Sequence, residues 1–306
     1  MKTKTYLFLS CVVLGILSCS PPRSIINSGK VATKNQVRFG NNYSLNISSS
    51  PITQSAKGIH NLADNFSGKD SIQFTDQVSH INSAVLAYCL DPIGTNTDLY
   101  LRYGLGHRMD IGYRTSGSSH AVDMMYQFLG SNENYKNSDK GGMYGSIGLQ
   151  YGWEKYSFSN KFNRVQKLLD MNMSRRDVSV PLIFSKSFGP EERSGCFSFG
   201  LVYSHSFVTY NIKAKNIYIQ NNNDVKELVA PVNAKMDYGS YGTFINMKVG
   251  RRFIFFNASL AAYYQNYGNY PLLGGGMASL EGISIIPSYG VQFNILPRKR
   301  KIPKEL

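Results

Sequence analysis

The chain has 306 residues, of which 42% are hydrophobic and 13% aromatic, and its formal net charge is +14. A single all-β barrel can account for this length, and the abundance of Tyr and Phe favours strands. No stretch after Cys19 is apolar enough for a helical membrane span, so insertion into a bilayer would have to use strands. A basic chain can bind nucleic acid or the phosphates of anionic lipids, and the N-terminal segment helps to decide between them.

The N-terminal segment has the composition of an export signal. Lys2 and Lys4 precede an apolar run over 6–17, which is shorter than the ~20 residues that a spanning helix needs. The run ends in Ile16-Leu17-Ser18-Cys19, which resembles the bacterial lipobox, whose cysteine is acylated and becomes the first residue of the mature protein. We therefore expect residues 1–18 to be a lipoprotein signal peptide and Cys19 to carry lipid such as palmitate. Export makes lipid phosphates the expected partner, rather than nucleic acid.

Residues 19–35 follow the signal and are predicted to form a tether to a β-barrel over 36–296. Within 36–296, apolar and polar residues alternate with a period of two, as at Leu99, Leu101 and Tyr103 against Tyr100 and Arg102. The alternation predicts ten strands, at 36–49, 98–105, 109–115, 121–129, 143–157, 178–187, 196–211, 237–249, 253–266 and 283–296.

One face of these strands is aromatic and aliphatic, and the other carries Gly, Ser, Asn and Gln with a few Arg and Asp. This combination is typical of a small transmembrane barrel with a polar lumen. Tight turns alternate with long polar loops, predicted at 50–97, 158–177, 211–236 and 266–281. As an eleventh strand, the segment 75–90 would place the chain ends on opposite sides, whereas we expect the lipid on Cys19 and the end of the barrel to share the periplasmic side. We therefore predict a short extracellular helix at 75–90. Residues 297–306 form a basic tail, for which a disordered end is the simplest expectation.

A soluble, lipid-tethered barrel or sandwich that binds a small apolar ligand or an envelope partner would show the same alternation. The two architectures differ in where Tyr126, Leu149, Phe199 and Phe256 point: outward in a membrane barrel and inward in a soluble one. Cys89 and Cys196 remain after removal of the signal and lipidation of Cys19, and the sequence leaves open whether they pair.

Two segments resemble the small outer-membrane β-barrel proteins of Gram-negative bacteria. Residues 102–114, RYGLGHRMDIGYR, look like a hairpin that recurs in that family. The last predicted strand resembles the family's C-terminal assembly signal through Ser288, Gly290, Phe293 and Ile295, although the chain continues past it. The resemblance implies an all-β, single antiparallel up-and-down transmembrane barrel in the cell outer membrane. It implies an architecture and not a reaction.

Charged residues that face a narrow lumen must be paired, because an isolated ion there is costly. With the turn near Gly117, inward Arg114 is predicted opposite inward Asp123, and the turn at His107 sets Arg102 diagonal to Asp110. We therefore predict a lumen charge network of Arg102, Asp110, Arg114 and Asp123 that closes the pore, in preference to a selective constriction.

The sequence offers no catalytic or metal-binding constellation. None of the five histidines has a serine two positions on, and His205 lies between Ser204 and Ser206, whose side chains would point to the opposite face of a strand. We expect a non-enzymatic protein without cofactor or metal, structural or passively permeable. Its expected partners are outer-membrane lipid, lipopolysaccharide and the barrel assembly machinery. The oligomeric state is not indicated.

Overall fold

The computed structural model describes residues 23–51, 53, 72–73, 76–132, 141–157, 169–215, 217–220, 226–251 and 253–296. The predicted signal peptide at 1–18, Cys19 and the basic tail at 297–306 lie outside these residues. Within the described ranges, no helix has both the length and the apolar character needed to cross a bilayer.

Ten antiparallel strands form one closed barrel, in the order β1-β13-β12-β11-β8-β7-β6-β5-β4-β3. The predicted fold class and strand number are confirmed. The barrel strands are β1 (Val37–Ser48), β3 (Gly94–Gly106), β4 (Met109–Ser116), β5 (Ser119–Leu129), β6 (Met143–Ser157), β7 (Leu169–Ser187), β8 (Gly195–Ala214), β11 (Val232–Arg251), β12 (Ile254–Pro271) and β13 (Met277–Ile295).

The remaining elements lie in the connections of the barrel. Helix α1 (Asp76–Leu90) confirms the helix predicted at 75–90. A small sheet combines β2 (Ile72–Gln73), β9 (Ile217–Gln220) and β10 (Lys226–Leu228). One barrel rim, which we call the turn end, carries the turn at 107–108, the turn at 188–194 and the strand ends Val37 and Ile295. The opposite rim, the loop end, carries α1 and the small sheet.

The outward side chains are apolar over the turn-end half of the wall. Tyr126, Leu149, Phe199 and Phe256 are 47%, 54%, 46% and 66% exposed, so all four point away from the lumen. This orientation is that of a membrane barrel, and it contradicts the alternative of a soluble barrel with an apolar interior. Aromatic pairs reinforce the exterior where the first and last barrel strands meet, with Phe39 stacked on Phe293 at a centroid distance of 5.2 Å.

The polarity of the wall reverses toward the loop end. On β7, Leu169, Met171 and Met173 point inward, whereas Asn172 and Ser174 point outward. The inward residues form an apolar core with α1, in which Leu86 and Leu90 are almost completely buried. Strands therefore continue through much of the predicted loops at 158–177, 211–236 and 266–281, and this part of the prediction is wrong.

The predicted tether is also corrected. In its described part, residues 23–35, Ile26, Val31 and Ala32 are buried, because the chain runs inside the barrel. We call residues 23–36 the lumen segment. It descends from the loop end toward the turn end and then turns back to begin β1.

The predicted assembly-signal residues lie on the last barrel strand. Phe293 and Ile295 face outward, and Ser288 faces the lumen. Gly290 lies against β1, where an added Cβ would come within 2.1 Å of Asn42 Oδ1. Cys89 in α1 and Cys196 at the turn end of β8 are both buried and unpaired.

Candidate functional site in the barrel lumen

The first part of the lumen segment is bound near the loop end. Arg23 Nη1 lies 3.1 Å from Asp91 Oδ1, and Tyr263 Oη donates a 2.8 Å hydrogen bond to the Arg23 carbonyl. Burial would raise the pKa of the Asp91 carboxyl, but Arg23 and neighbouring hydroxyl donors hold it below its ordinary value. Ser24 donates to Asp98 Oδ2 at 3.0 Å. These bonds attach the segment to several strands of the wall.

The middle of the segment reaches the turn end. Lys30 Nζ forms an ion pair with Glu191, and Ser28 Oγ donates to Glu192 Oε2 at 3.0 Å. Lys248 of β11 lies 2.8 Å from the same Glu192 oxygen. Gly29 is required at this point, because an added Cβ would come within 2.6 Å of the Tyr144 carbonyl oxygen. The segment is therefore packed directly against the wall.

The acidic partners of Lys30 come from the β7–β8 turn. Glu191 and Glu192 both adopt left-handed backbone conformations, with φ values of 47° and 60°. Such conformations are unfavourable for residues with a Cβ by about 1–2 kcal/mol each. The turn is held in this shape because its two carboxylates are directed into the barrel, where the lysines neutralise them.

Acidification is expected to lower the stability of the barrel because it protonates Glu192. Burial alone would raise the pKa of this carboxyl, but Lys248, Arg38 and Lys30 lower it to about 2 from an ordinary value of 4.5. Its contribution is therefore complete above about pH 4.5 and is lost as the pH falls toward 2. We expect resistance to urea in detergent to decrease across this window, and Glu192→Gln to flatten the decrease. An identical pH profile for Glu192→Gln and wild type would contradict this assignment.

The predicted lumen charge network is only partly as expected. Arg102 forms ion pairs with both Asp110 and Asp123. Gly112 makes room for this contact, because a Cβ there would lie 2.6 Å from Asp123 Oδ2 and 2.8 Å from Arg102 Nη2. Asp110 also accepts a 2.6 Å hydrogen bond from the Ala32 amide. Three of the four predicted residues are thus brought together, and Asp110 binds the lumen segment.

Arg114 does not pair with Asp123 as predicted. Gly112 lies opposite Asp123, and Arg114 lies opposite Ala121, because Gly117 and Ser118 form a two-residue turn that shifts the register by two positions. A shift of two keeps both side chains on the inward face. Arg114 instead approaches Asp98 at 3.8 Å and donates to the Ser24 carbonyl.

The lumen segment nearly balances the charge of the lumen. Among the described residues, the lumen-facing acids are Asp91, Asp98, Asp110, Asp123, Glu154, Asp177, Glu191 and Glu192. The corresponding bases are Arg23, Lys30, Arg38, Arg102, Arg114, Arg175 and Lys248. Without Arg23 and Lys30, five bases would face eight acids. The lumen segment therefore supplies two of the seven bases that balance the acids facing the lumen.

Two small cavities lie in the described part of the barrel interior. A cavity of about 50 Å³ lies between the lumen segment and the wall near Arg23, Arg114 and Arg175, and a second one near Lys30 and Arg38 measures about 10 Å³. Side chains alone fill barrels of about eight strands. Ten strands leave room for more, and the extended lumen segment occupies it. Toward the loop end, the apolar core around α1 continues the seal.

His205 lies on the outer wall beside an acidic residue and away from the two serines next to it in the chain. Its Nε2 lies 3.1 Å from Asp237 Oδ2 on the outer wall. Ser204 and Ser206 point to the other face, where they bond to Ser179 and Asp177. In the part of the chain that the structure describes, no group of three His, Cys, Asp or Glu residues is placed to hold a metal ion.

No family model and no curated protein matches the chain. Among solved structures, it is similar to the outer membrane protease OmpT of Escherichia coli, with 7% identity and a TM-score of 0.38, covering 85% of this chain and 97% of OmpT. It is also similar to Ail, the attachment invasion locus protein of Yersinia pestis, with 7% identity and a TM-score of 0.31, covering 86% of this chain and 100% of Ail.

The outer membrane protein OprG of Pseudomonas aeruginosa is a third such structure, with 8% identity and a TM-score of 0.31, covering 89% of this chain and 100% of OprG. All three identities and scores are low, so they carry no argument about activity. The strand pairing and side-chain orientation of the chain itself establish a closed ten-strand antiparallel barrel with an apolar exterior and a lumen filled by its own N-terminal segment.

Proposed function

We propose that the chain is a non-enzymatic outer-membrane β-barrel lipoprotein with a structural rather than a permeable role. The observation that carries the proposal is the combination of an apolar outer wall with a filled lumen. The apolar wall suits hydrocarbon, and closure of the sheet leaves no strand edge unpaired in the bilayer. Among the described residues, the lumen segment occupies the interior of the barrel and the core around α1 lies toward its loop end.

The orientation of the barrel follows the usual arrangement of such proteins. The turn end, with both barrel-strand termini Val37 and Ile295, faces the periplasm, and the loop end faces outward. Lipidation at Cys19 belongs to this proposal through the lipobox-like residues. The barrel wall is the main anchor, so Cys19→Ala is expected to remain in the membrane fraction. Outer-membrane lipid, lipopolysaccharide and the barrel assembly machinery remain the proposed partners.

The decisive experiment is reconstitution of the intact protein into planar bilayers. Folded protein, identified by heat-modifiable migration on a gel, is expected to produce no discrete conductance steps under conditions where a porin reconstituted in parallel conducts. Stable single-channel steps would overturn the proposal that the lumen is sealed. Extraction of the protein from membranes by alkaline carbonate would instead overturn its assignment as an integral barrel.

A further inference from the structure

The outward face of β6, β7, β8 and β11 changes composition toward the loop end. Trp153, Arg176, Phe207 and Asp237 face each other across these strands and form one level of the wall. Two residues further toward the loop end, the corresponding level consists of Lys155, Ser174, Thr209 and Lys235. Within one step of the strand repeat, the wall therefore passes from a level with two aromatic residues, an arginine and an aspartate to a level with two lysines, a serine and a threonine.

A cleft of about 700 Å³ lies over this part of the wall. Its polar lining is exposed or half-exposed and consists of Lys155, Asn172, Ser174, Thr209, Asn211, Asn233 and Lys235. Asn211 donates a hydrogen bond to Asn233 across β8 and β11. Neither Lys155 nor Lys235 forms an ion pair within the described ranges, whereas Asp237, the nearest acid below the cleft, contacts His205.

We propose that this cleft, the outer polar face, binds the phosphorylated sugar headgroup of an outer-leaflet glycolipid. Lys155 and Lys235 lie three strand spacings apart, or about 14 Å, at either side of the cleft. Each ammonium group can bind a phosphate. The amides and hydroxyls between them suit sugar hydroxyls, and the apolar wall below Trp153 and Phe207 suits acyl chains. The site rests on the proposed function, because only insertion in the membrane brings a headgroup to this level.

The arrangement of these groups on the wall supports a lipid rather than a free anion. A free phosphate would need only the lysines, which are too far apart to hold one ion together. A glycolipid carries its phosphates and sugar hydroxyls together above its acyl chains, and the outer polar face places lysines and hydroxyls on one level above the wall at Trp153 and Phe207. The named residues come from four neighbouring strands, so the site is built on the rigid wall.

The test measures binding of purified lipid A to the folded full-length protein in detergent micelles. Lys155→Ala/Lys235→Ala is expected to bind lipid A roughly 25-fold more weakly than wild type, since each lysine contributes a factor of about five. Lipid A stripped of its phosphates should bind wild type about as weakly as intact lipid A binds the double variant. Lys186→Ala is the matched control, because Lys186 is an exposed lysine on β7 near the turn end.

The outcomes separate the site from the proposed function. Equal affinity of wild type and the double variant for lipid A, with both proteins showing heat-modifiable migration, would overturn the site and leave the barrel assignment intact. Complete competition by inorganic phosphate would also overturn it, since that result indicates a simple anion site. Loss of heat-modifiable migration and of membrane insertion in wild type would instead count against the barrel. Asn172→Ala/Asn211→Ala, which keeps both lysines, should weaken binding whether or not the lipid is phosphorylated.

Discussion

Replacing Lys30 by Met is expected to lower the free energy of unfolding of the barrel in detergent by about 3–5 kcal/mol. Lys30 and Glu191 are each only 3% exposed and form an ion pair at the turn end. The substitution keeps most of the side-chain volume but leaves the Glu191 carboxylate buried without its partner. Breaking one side of a buried pair is far more costly than removing both sides.

A double-substitution cycle tests this explanation. Lys30→Met/Glu191→Gln removes both charges and is expected to recover a large part of the lost stability. Lys155→Met is the matched control, because Lys155 is exposed on the outer wall and should change stability little. Urea titrations that follow the folded band by heat-modifiable migration give the stabilities of wild type, Lys30→Met, Glu191→Gln, the double variant and Lys155→Met. A Lys30→Met protein as stable as Lys155→Met would show that the lumen segment does not depend on this pair.

The loss of stability expected for Lys30→Met follows from the charge balance of the lumen. Arg23 and Lys30 belong to the lumen segment, and their acidic partners Asp91 and Glu191 belong to connections between barrel elements. The acids at both ends of the lumen therefore require a segment that is remote from them in the chain. Barrel closure and insertion of the segment are expected to be mutually dependent.

Most of the barrel could be predicted from the sequence because a wall between lipid and a polar lumen imposes a strict period of two. Phe197, Phe199 and Leu201 alternate with Ser198 and Gly200, and any strand with this pattern can occupy only one orientation. The strand count followed from the same alternation, whereas the helix at 75–90 was predicted because an eleventh strand would place the two chain ends on opposite sides of the membrane. Register was harder, as the turn at Gly117 shows, because a shift by two residues leaves the pattern unchanged.

The upper strands were missed because their polarity is reversed. Leu169, Met171 and Met173 do alternate with Asn172 and Ser174, but the polar residues are those expected of an exposed loop. The sequence does show the alternation of a strand here, but the outward-facing residues are polar. It indicates a wall that has left the membrane and surrounds an apolar core, here the one formed with α1.

The lumen segment could not be predicted in the same way. An extended chain inside a polar barrel meets different walls on all sides, so residues such as Ile26, Lys30 and Val31 show no regular period. The inward direction of the β7–β8 turn could not be predicted either, because Glu191 and Glu192 next to Pro190 have the composition of an exposed turn. Their inward direction depends on partners far away in the chain.

The path of the lumen segment predicts on which side of the outer membrane Cys19 lies. Arg23 is bound near the loop end, and the segment runs from there to the turn end. Four extended residues span at most about 14 Å. An acylated Cys19 is therefore expected at the loop end, on the cell surface, and not on the periplasmic side with the end of the last strand. The even strand number then follows from the closed pairing alone.

Protease accessibility of inserted tags tests this topology. A cleavable epitope inserted directly after Ser20 is expected to be removed by protease added to intact cells. The same epitope inserted in the turn between His107 and Arg108, at the turn end, should be removed only after the outer membrane is permeabilised. Both proteins must first show heat-modifiable migration, so that each is known to be folded. Protection of the Ser20 tag in intact cells, together with cleavage after permeabilisation, would mean that the chain enters the lumen from the periplasmic side, and the path assigned to residues 23–36 would be wrong.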